Sequence, residues 1–175
     1  MTIALLKNNA KDCPKDVALL GLDVGKKTIG LALSGPSQIT ATPLQTITRT
    51  KFTKDAEALS RVMDEFEVGG LIIGLPVNMD GTEGPRAQSV RDFALELERV
   101  LGVRVWIALW DERLSTVSVE ESVDRFVEKR KTKINAKSSG LIDKLAAQVI
   151  LQGALDYMLS AEGSSEGSRN VPKEP

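Results

Sequence analysis

A chain of 175 residues with 23 Lys and Arg, 24 Asp and Glu and a formal net charge of −1 suits one domain that buries about two thirds of its unfolded surface, with no global field for nucleic acid or membranes. The absence of histidine removes His-dependent triads, His general bases and the common zinc and haem sites, and the single Cys13 has no internal disulfide partner. With neither a secretory core segment nor an apolar run long enough to span a bilayer, the expectation is a reducing, cytoplasmic setting and no membrane partner.

In chain order, residues 1–16 mix lysines and asparagines with Pro14 and read as a flexible N-terminal arm. The main domain is expected over 17–160. It opens on Ala18-Leu19-Leu20-Gly21-Leu22-Asp23-Val24-Gly25, a nearly continuous apolar run of the kind found in strands buried on both faces. Asp23, at its end, is either an Asx turn bonding the hairpin backbone or a functional acid, because an ionised carboxylate is costly to bury without a partner. Thr28 to Ser34 returns as a second strand, with Lys26 and Lys27 at the tip. These two lysines either lead a phosphate backbone inward or keep the turn soluble. Gln38 to Ile47 alternates around Pro43 and predicts a third strand near a sheet edge.

Asp55 to Phe66 places Ala56, Leu59, Val62, Met63 and Phe66 on one helical face, with Gly69-Gly70 as its stop. Leu71 to Leu75 is then a short buried strand parallel to the first. The loop that follows holds Asn78, Asp80 and Gly81 at the edge where open α/β sheets bind ligands. A helix opened by Pro85 and stopped by Gly102 precedes a strand from Val103 to Trp110, which runs into Asp111-Glu112-Arg113-Leu114-Ser115-Thr116. Ser115 is placed to cap a further helix, and Arg113 either grips a phosphate or pairs with Asp111. Trp106 and Trp110 read as core residues in preference to a base-stacking surface. Lys129, Arg130, Lys131, Lys133 and Lys137 concentrate positive charge in one segment, read as phosphate contacts over the alternative of a solvated helix end. A last helix from near Ser139 carries Asp143 on the same stripe as Ala146, Ala147, Ile150 and Leu151, and residues 161–175 read as a disordered tail.

Three carboxylates thus fall where a sheet and a helix can join them: Asp23 after the first strand, Glu112 after the last, and Asp143 in the first turns of the packing helix. Like charges brought this close raise one another's pKa and favour a bound cation. Oxygen donors without histidine select Mg²⁺ or Mn²⁺ over zinc. Two such ions about 3.5–4 Å apart activate a water and stabilise the leaving oxygen in an in-line attack on a phosphodiester. The reading is a metal-dependent hydrolytic nuclease.

The order of elements resembles the ribonuclease H-like fold, an α/β architecture with a five-stranded mixed sheet, three antiparallel strands first and then two parallel, flanked by helices. More narrowly, the blocks 21–25, 74–81, 111–116 and 142–147 resemble the signature blocks of the YqgF/RuvX family. Its members are described as Holliday junction resolvases and as pre-16S rRNA nucleases acting in ribosome maturation. The resemblance spans about Ala18 to Met158 and implies Asp23, Glu112 and Asp143 as catalytic and metal-binding acids, with Asn78 and Asp80 in a substrate or structural loop. It implies a nucleic-acid partner and 5′-end processing of precursor 16S rRNA, with Holliday junction resolution on branched DNA as the alternative. A non-catalytic RNA-binding assembly factor is the alternative of another class, and the chain is expected as a monomer or homodimer. The actin and hexokinase superfamily has a similar first hairpin, but its two-domain architecture exceeds this chain.

Overall fold

The computed structural model, which describes residues 3–102, 105–114 and 139–166, centres on the apolar run that ends at Asp23. One sheet contains β1 (Ala4–Leu5), β2 (Ala18–Val24), β3 (Thr28–Ser34), β4 (Ala41–Thr48), β5 (Val68–Leu75) and β6 (Trp106–Asp111), in the spatial order β1-β6-β5-β2-β3-β4. The first hairpin and β4 are antiparallel, whereas β5 lies parallel to β2 and β6 parallel to β5. The helices are α1 (Leu6–Asn9), α2 (Phe52–Glu65), α3 (Pro85–Leu101) and α4 (Ser139–Glu166). No described helix is long and apolar enough to cross a membrane.

Because β2 is covered on both sides, alternate residues feed two different cores. Leu20 and Leu22 join Leu71, Ile73 and Leu109 under α2 and α3. Leu19 joins Ile72, Trp106, Ala108 and Trp110 under α4. A fully buried leucine of this kind contributes about 1.5–3 kcal/mol relative to exposure, so the strand pattern fixes which face each residue occupies. Both tryptophans are core residues, and Trp110 packs on Tyr157 with ring centroids 5.7 Å apart.

Five sequence expectations are corrected. The sheet has six strands rather than five, because Ala4–Leu5 of the expected arm pairs in parallel with Ala108 and Leu109 and covers the open edge of β6. Leu6 and Cys13 enter the α4-side core, and burial pushes the Cys13 thiol up to about 11. The expected tail is helical through Glu166, and Glu162 pairs with Lys15 of the N-terminal segment. The turn after α2 is made by Glu67 at φ 52°, so Gly69 and Gly70 serve the strand instead, Gly70 allowing Trp106 to approach. The third strand starts at Ala41, since Gln38 turns the chain at φ 56° and donates its side-chain amide to the carbonyls of Pro14 and Val17 at 2.7 and 3.0 Å.

A buried acid ties the hairpin to the helical layer. Asp55, 2% exposed, accepts from Arg49 Nε at 3.3 Å and from the Thr50 amide at 3.1 Å. The same guanidinium donates to the Gly25 carbonyl at 2.6 Å and lies over the Phe93 ring of α3. One side chain therefore joins β4, α2, α3 and the turn that follows Asp23. Arg49→Ala strands the buried carboxylate and is expected to cost about 3 kcal/mol, as for a broken buried pair. The Arg49→Ala/Asp55→Asn double variant recovers part of that loss in urea denaturation, and equal stability of the two variants contradicts the assignment.

Candidate functional site

The site grows from three strand ends and the start of one helix. Asp23 follows Leu19 and Gly21 along the α4-facing side of β2. The β2–β3 register pairs Asp23 with Gly30, and on the other flank Leu22 pairs with Ile73, which sets Asp23 next to Gly74. Both neighbours are glycines for a reason of space. A Cβ at residue 30 would land on the Asp143 carbonyl oxygen, and one at residue 74 would come within 2.7 Å of Glu112 Oε1 and collide with Ile150. The Asp143 backbone and the Glu112 carboxylate thus sit over the two strands that flank Asp23.

The acids are seated by local structure. Glu112 opens the single 3₁₀ turn Glu112–Leu114 that directly follows β6. Asp143 is placed by the first turns of α4, which are pinned to β4. Thr46 Oγ1 donates to the Gly140 carbonyl at 2.5 Å, Gln148 donates to the Ala41 carbonyl at 3.0 Å, and Gln152 accepts from the Ala41 amide at 2.9 Å. Thr28, at the start of β3, donates its hydroxyl to Asp143 Oδ2 at 2.6 Å.

Electrostatics couple the group. Burial and then the charge of Asp143 raise the Asp23 carboxyl above its ordinary pKa, and burial, Asp23 and then Asp111 raise Glu112. Arg86, second residue of α3, opposes both shifts. Neither Thr28 nor Arg86 was found from sequence. The only signal for Arg86 was its place in a helix opened by Pro85 just after the ligand-edge loop.

Other expected residues are placed differently. Asn78 and Asp80 fold the loop on itself: Thr82 donates its amide and hydroxyl to Asp80 Oδ1 at 2.9 and 2.6 Å, and Asn78 donates to the Thr82 hydroxyl at 3.0 Å. Those bonds from Thr82 hold the Asp80 carboxyl below its usual range. Arg113 sets its fork on Asp111, with Nη2 to Oδ2 at 2.7 Å. Lys26 and Lys27 are exposed at the hairpin tip beside the acids. Lys129, Arg130, Lys131, Lys133, Lys137 and the helix expected after Ser115 lie outside the described residues.

The donor chemistry of Asp23, Glu112 and Asp143 fits a hard divalent cation, because only oxygen ligands are offered and the charges repel without one. As the side chains stand, no three His, Cys, Asp or Glu groups among the described residues close into a cage around one ion. Thr28 already holds one oxygen of Asp143.

Raised carboxyl pKa values have a definite sign for stability. Asp23 and Glu112 favour folding below their unfolded pKa values and lose that contribution as pH rises through the folded values. Asp23→Asn removes the penalty, so without metal its Tm at about pH 7 should exceed that of the parent by roughly 2–4 °C, the shift given by about 1 kcal/mol in a domain of this size. The gain narrows toward about pH 4 as the parent carboxyl binds its own proton. Calorimetry across pH checks it, and a lower Tm for the variant at neutral pH contradicts the electrostatic account.

With this geometry in view, known proteins give a consistent match. A protein of Rhodospirillum centenum named "Putative pre-16S rRNA nuclease" is 46% identical over 171 residues, covering 96% of this chain and 88% of the relative. One of the same name from Paramagnetospirillum magneticum is 54% identical over 142 residues, covering 81% and 87%. The yeast mitochondrial Holliday junction resolvase Ydc2 aligns with a TM-score of 0.58 at 10% identity, over 93% of this chain and 88% of that one. RuvC from T. thermophilus, solved with a Holliday junction substrate, aligns with a TM-score of 0.50 at 13% identity, over 85% and 97%. These two likenesses show the shared ribonuclease H-like fold. The family model described as "RuvX: Holliday junction resolvase" matches residues 17–157, and the chain belongs to that family.

Proposed function

We propose that this chain is a divalent-metal-dependent endonuclease that hydrolyses phosphodiester bonds in structured nucleic acid, and that its activity is 5′-end processing of precursor 16S rRNA. The observation that carries the reading is the seating of Asp143 and Glu112 over Gly30 and Gly74, the two glycines flanking Asp23. The names of the close relatives support the ribosomal RNA substrate. The description of the family model favours a second reading, resolution of four-way DNA junctions.

In the proposed mechanism Asp23, Glu112 and Asp143 would hold Mg²⁺ or Mn²⁺, which would supply Lewis-acid activation of the attacking water and offset charge on the phosphate. Asp23 projects from the sheet centre and fixes the position of the site. Thr28 restrains one Asp143 oxygen and leaves the other outside that hydrogen bond. Arg86 adds a fixed positive charge that offsets the repulsion between the acids and an incoming phosphate. Lys26 and Lys27, at the adjoining tip, attract the backbone without reading bases.

The test incubates the purified chain with Mg²⁺ or Mn²⁺ and, side by side, a precursor 16S rRNA 5′ segment and a four-way DNA junction. Metal-dependent cleavage of the RNA is expected. Asp23→Asn and Glu112→Gln should each lower the single-turnover rate by about 10²-fold or more, as when a group stabilising developing charge is removed. RNA affinity without metal should stay equal or rise, since each substitution deletes a negative charge. Cleavage of the junction alone selects the second reading. Equal cleavage by both variants overturns the assignment of the acids, and binding without cleavage supports a non-catalytic assembly factor.

A further inference from the structure

We propose that the cleft between the β2–β3 turn and the first turn of α3 binds one backbone phosphodiester of the substrate, adjacent to the phosphate at the carboxylates. The identity of the ligand as nucleic acid rests on the nuclease reading; the site itself rests on separate residues. The cleft has a volume of about 160 Å³ and is lined by Gly25, Lys26, Arg49, Arg86 and Ser89, with Val90 in its wall. That space admits one phosphate group, and the choice of ligand rests on charge.

Charge makes the cleft selective for an anion. Among the described residues Lys26 and Arg86 form no ion pair, while Arg49 is matched by Asp55. The cleft therefore presents two cations that no carboxylate contacts directly, and its lining holds no carboxylate. Gly84 precedes α3 without a side-chain cap, which leaves first-turn amides on that side for an acceptor oxygen. Position identifies the ligand as a polyanion. Val24 and Gly25, which border the cleft, directly follow Asp23, and Arg86 acts on both Asp23 and Glu112. The cleft adjoins the acids, so a chain of repeated phosphates can occupy both places at once.

Arg49 is unsuitable for a test, since its loss leaves Asp55 buried. Lys26 and Arg86 are exposed, so the Lys26→Ala/Arg86→Ala double variant should still fold cooperatively, with a Tm lowered only by the loss of the Arg86 charge beside Asp23 and Glu112. Binding of a fluorescein-labelled RNA stem-loop is followed by anisotropy in EDTA, with NaCl varied between about 50 and 200 mM. The double variant should bind more weakly, and its log–log salt slope should fall by about 0.7–0.9, the release expected for one phosphate contact. Lys54→Ala, an exposed lysine on α2, serves as the control and should leave the slope unchanged. An unchanged slope in the double variant, a loss no larger than in the control, or no RNA binding by the parent overturns the cleft. Because the binding assay holds no metal, it reads the cleft apart from catalysis: absent cleavage in the Mg²⁺ or Mn²⁺ incubation with the expected fall in slope sinks the catalytic reading alone, and an unchanged slope with normal cleavage sinks the cleft alone.

Discussion

The start of α4 rests directly on β3 because residue 30 carries no side chain. With a Cβ there, the Asp143 carbonyl would be displaced, and with it the helix that closes one whole face of the sheet. Backbone-to-sheet contact at this point does two things together. It completes the core of Leu19, Ile72 and Trp110 beneath Ala147, Ile150 and Leu151, and it brings a helical aspartate beside a strand aspartate. Gly74 performs the matching service on the opposite flank, where the Glu112 carboxylate occupies the room a side chain would need. The arrangement of acids is thus a by-product of how closely α4 can lie on the sheet. Glutamines 148 and 152 and Thr46 hold that helix in register by satisfying polar groups between β4 and α4.

Such closeness carries an energetic penalty. Burial raises the pKa of Asp23 and Glu112, and each charge makes the next harder to keep. The chain compensates in part with Arg86 and with the Thr28 hydroxyl on Asp143, and it stiffens the nearby turn through the Arg49 contact to the Gly25 carbonyl. Folding energy drawn from the two cores is what sustains this repulsion. A divalent cation would relieve it, which links affinity for metal to stability of the fold in a single balance.

Much of this was legible beforehand where burial leaves a pattern in the chain. The continuous apolar run of β2, the helical stripe of α2 and the glycine at the end of α3, φ 78° at Gly102, each followed from periodicity or local geometry. The positions of Asp23 and Glu112 at strand ends also followed, since parallel strands share one edge. What escaped depended on tertiary partners. Ile3 to Leu6 is too short to show a period, and its order comes from an edge of β6 that no local signal announces. Glu67 takes the left-handed turn expected of Gly69 and Gly70, because those glycines are needed for packing against Val17 and Trp106. Arg86 and Thr28 are ordinary in isolation and acquire meaning only through the acids they face. Arg113, Asn78 and Asp80 show the converse: residue types suited to phosphate or metal are engaged with their own loop or neighbour.

The central claim is that Asp23, Glu112 and Asp143 act together as the seat of a divalent cation. Substoichiometric Mn²⁺ titrated into the ¹⁵N-labelled chain tests it through paramagnetic line broadening. The account predicts that the amides of Gly30, Gly74 and Asp143 broaden first, and that this broadening is lost in Asp23→Asn. Broadening centred on the Asp80–Glu83 loop, with the Gly30 and Gly74 signals sharp, would contradict it.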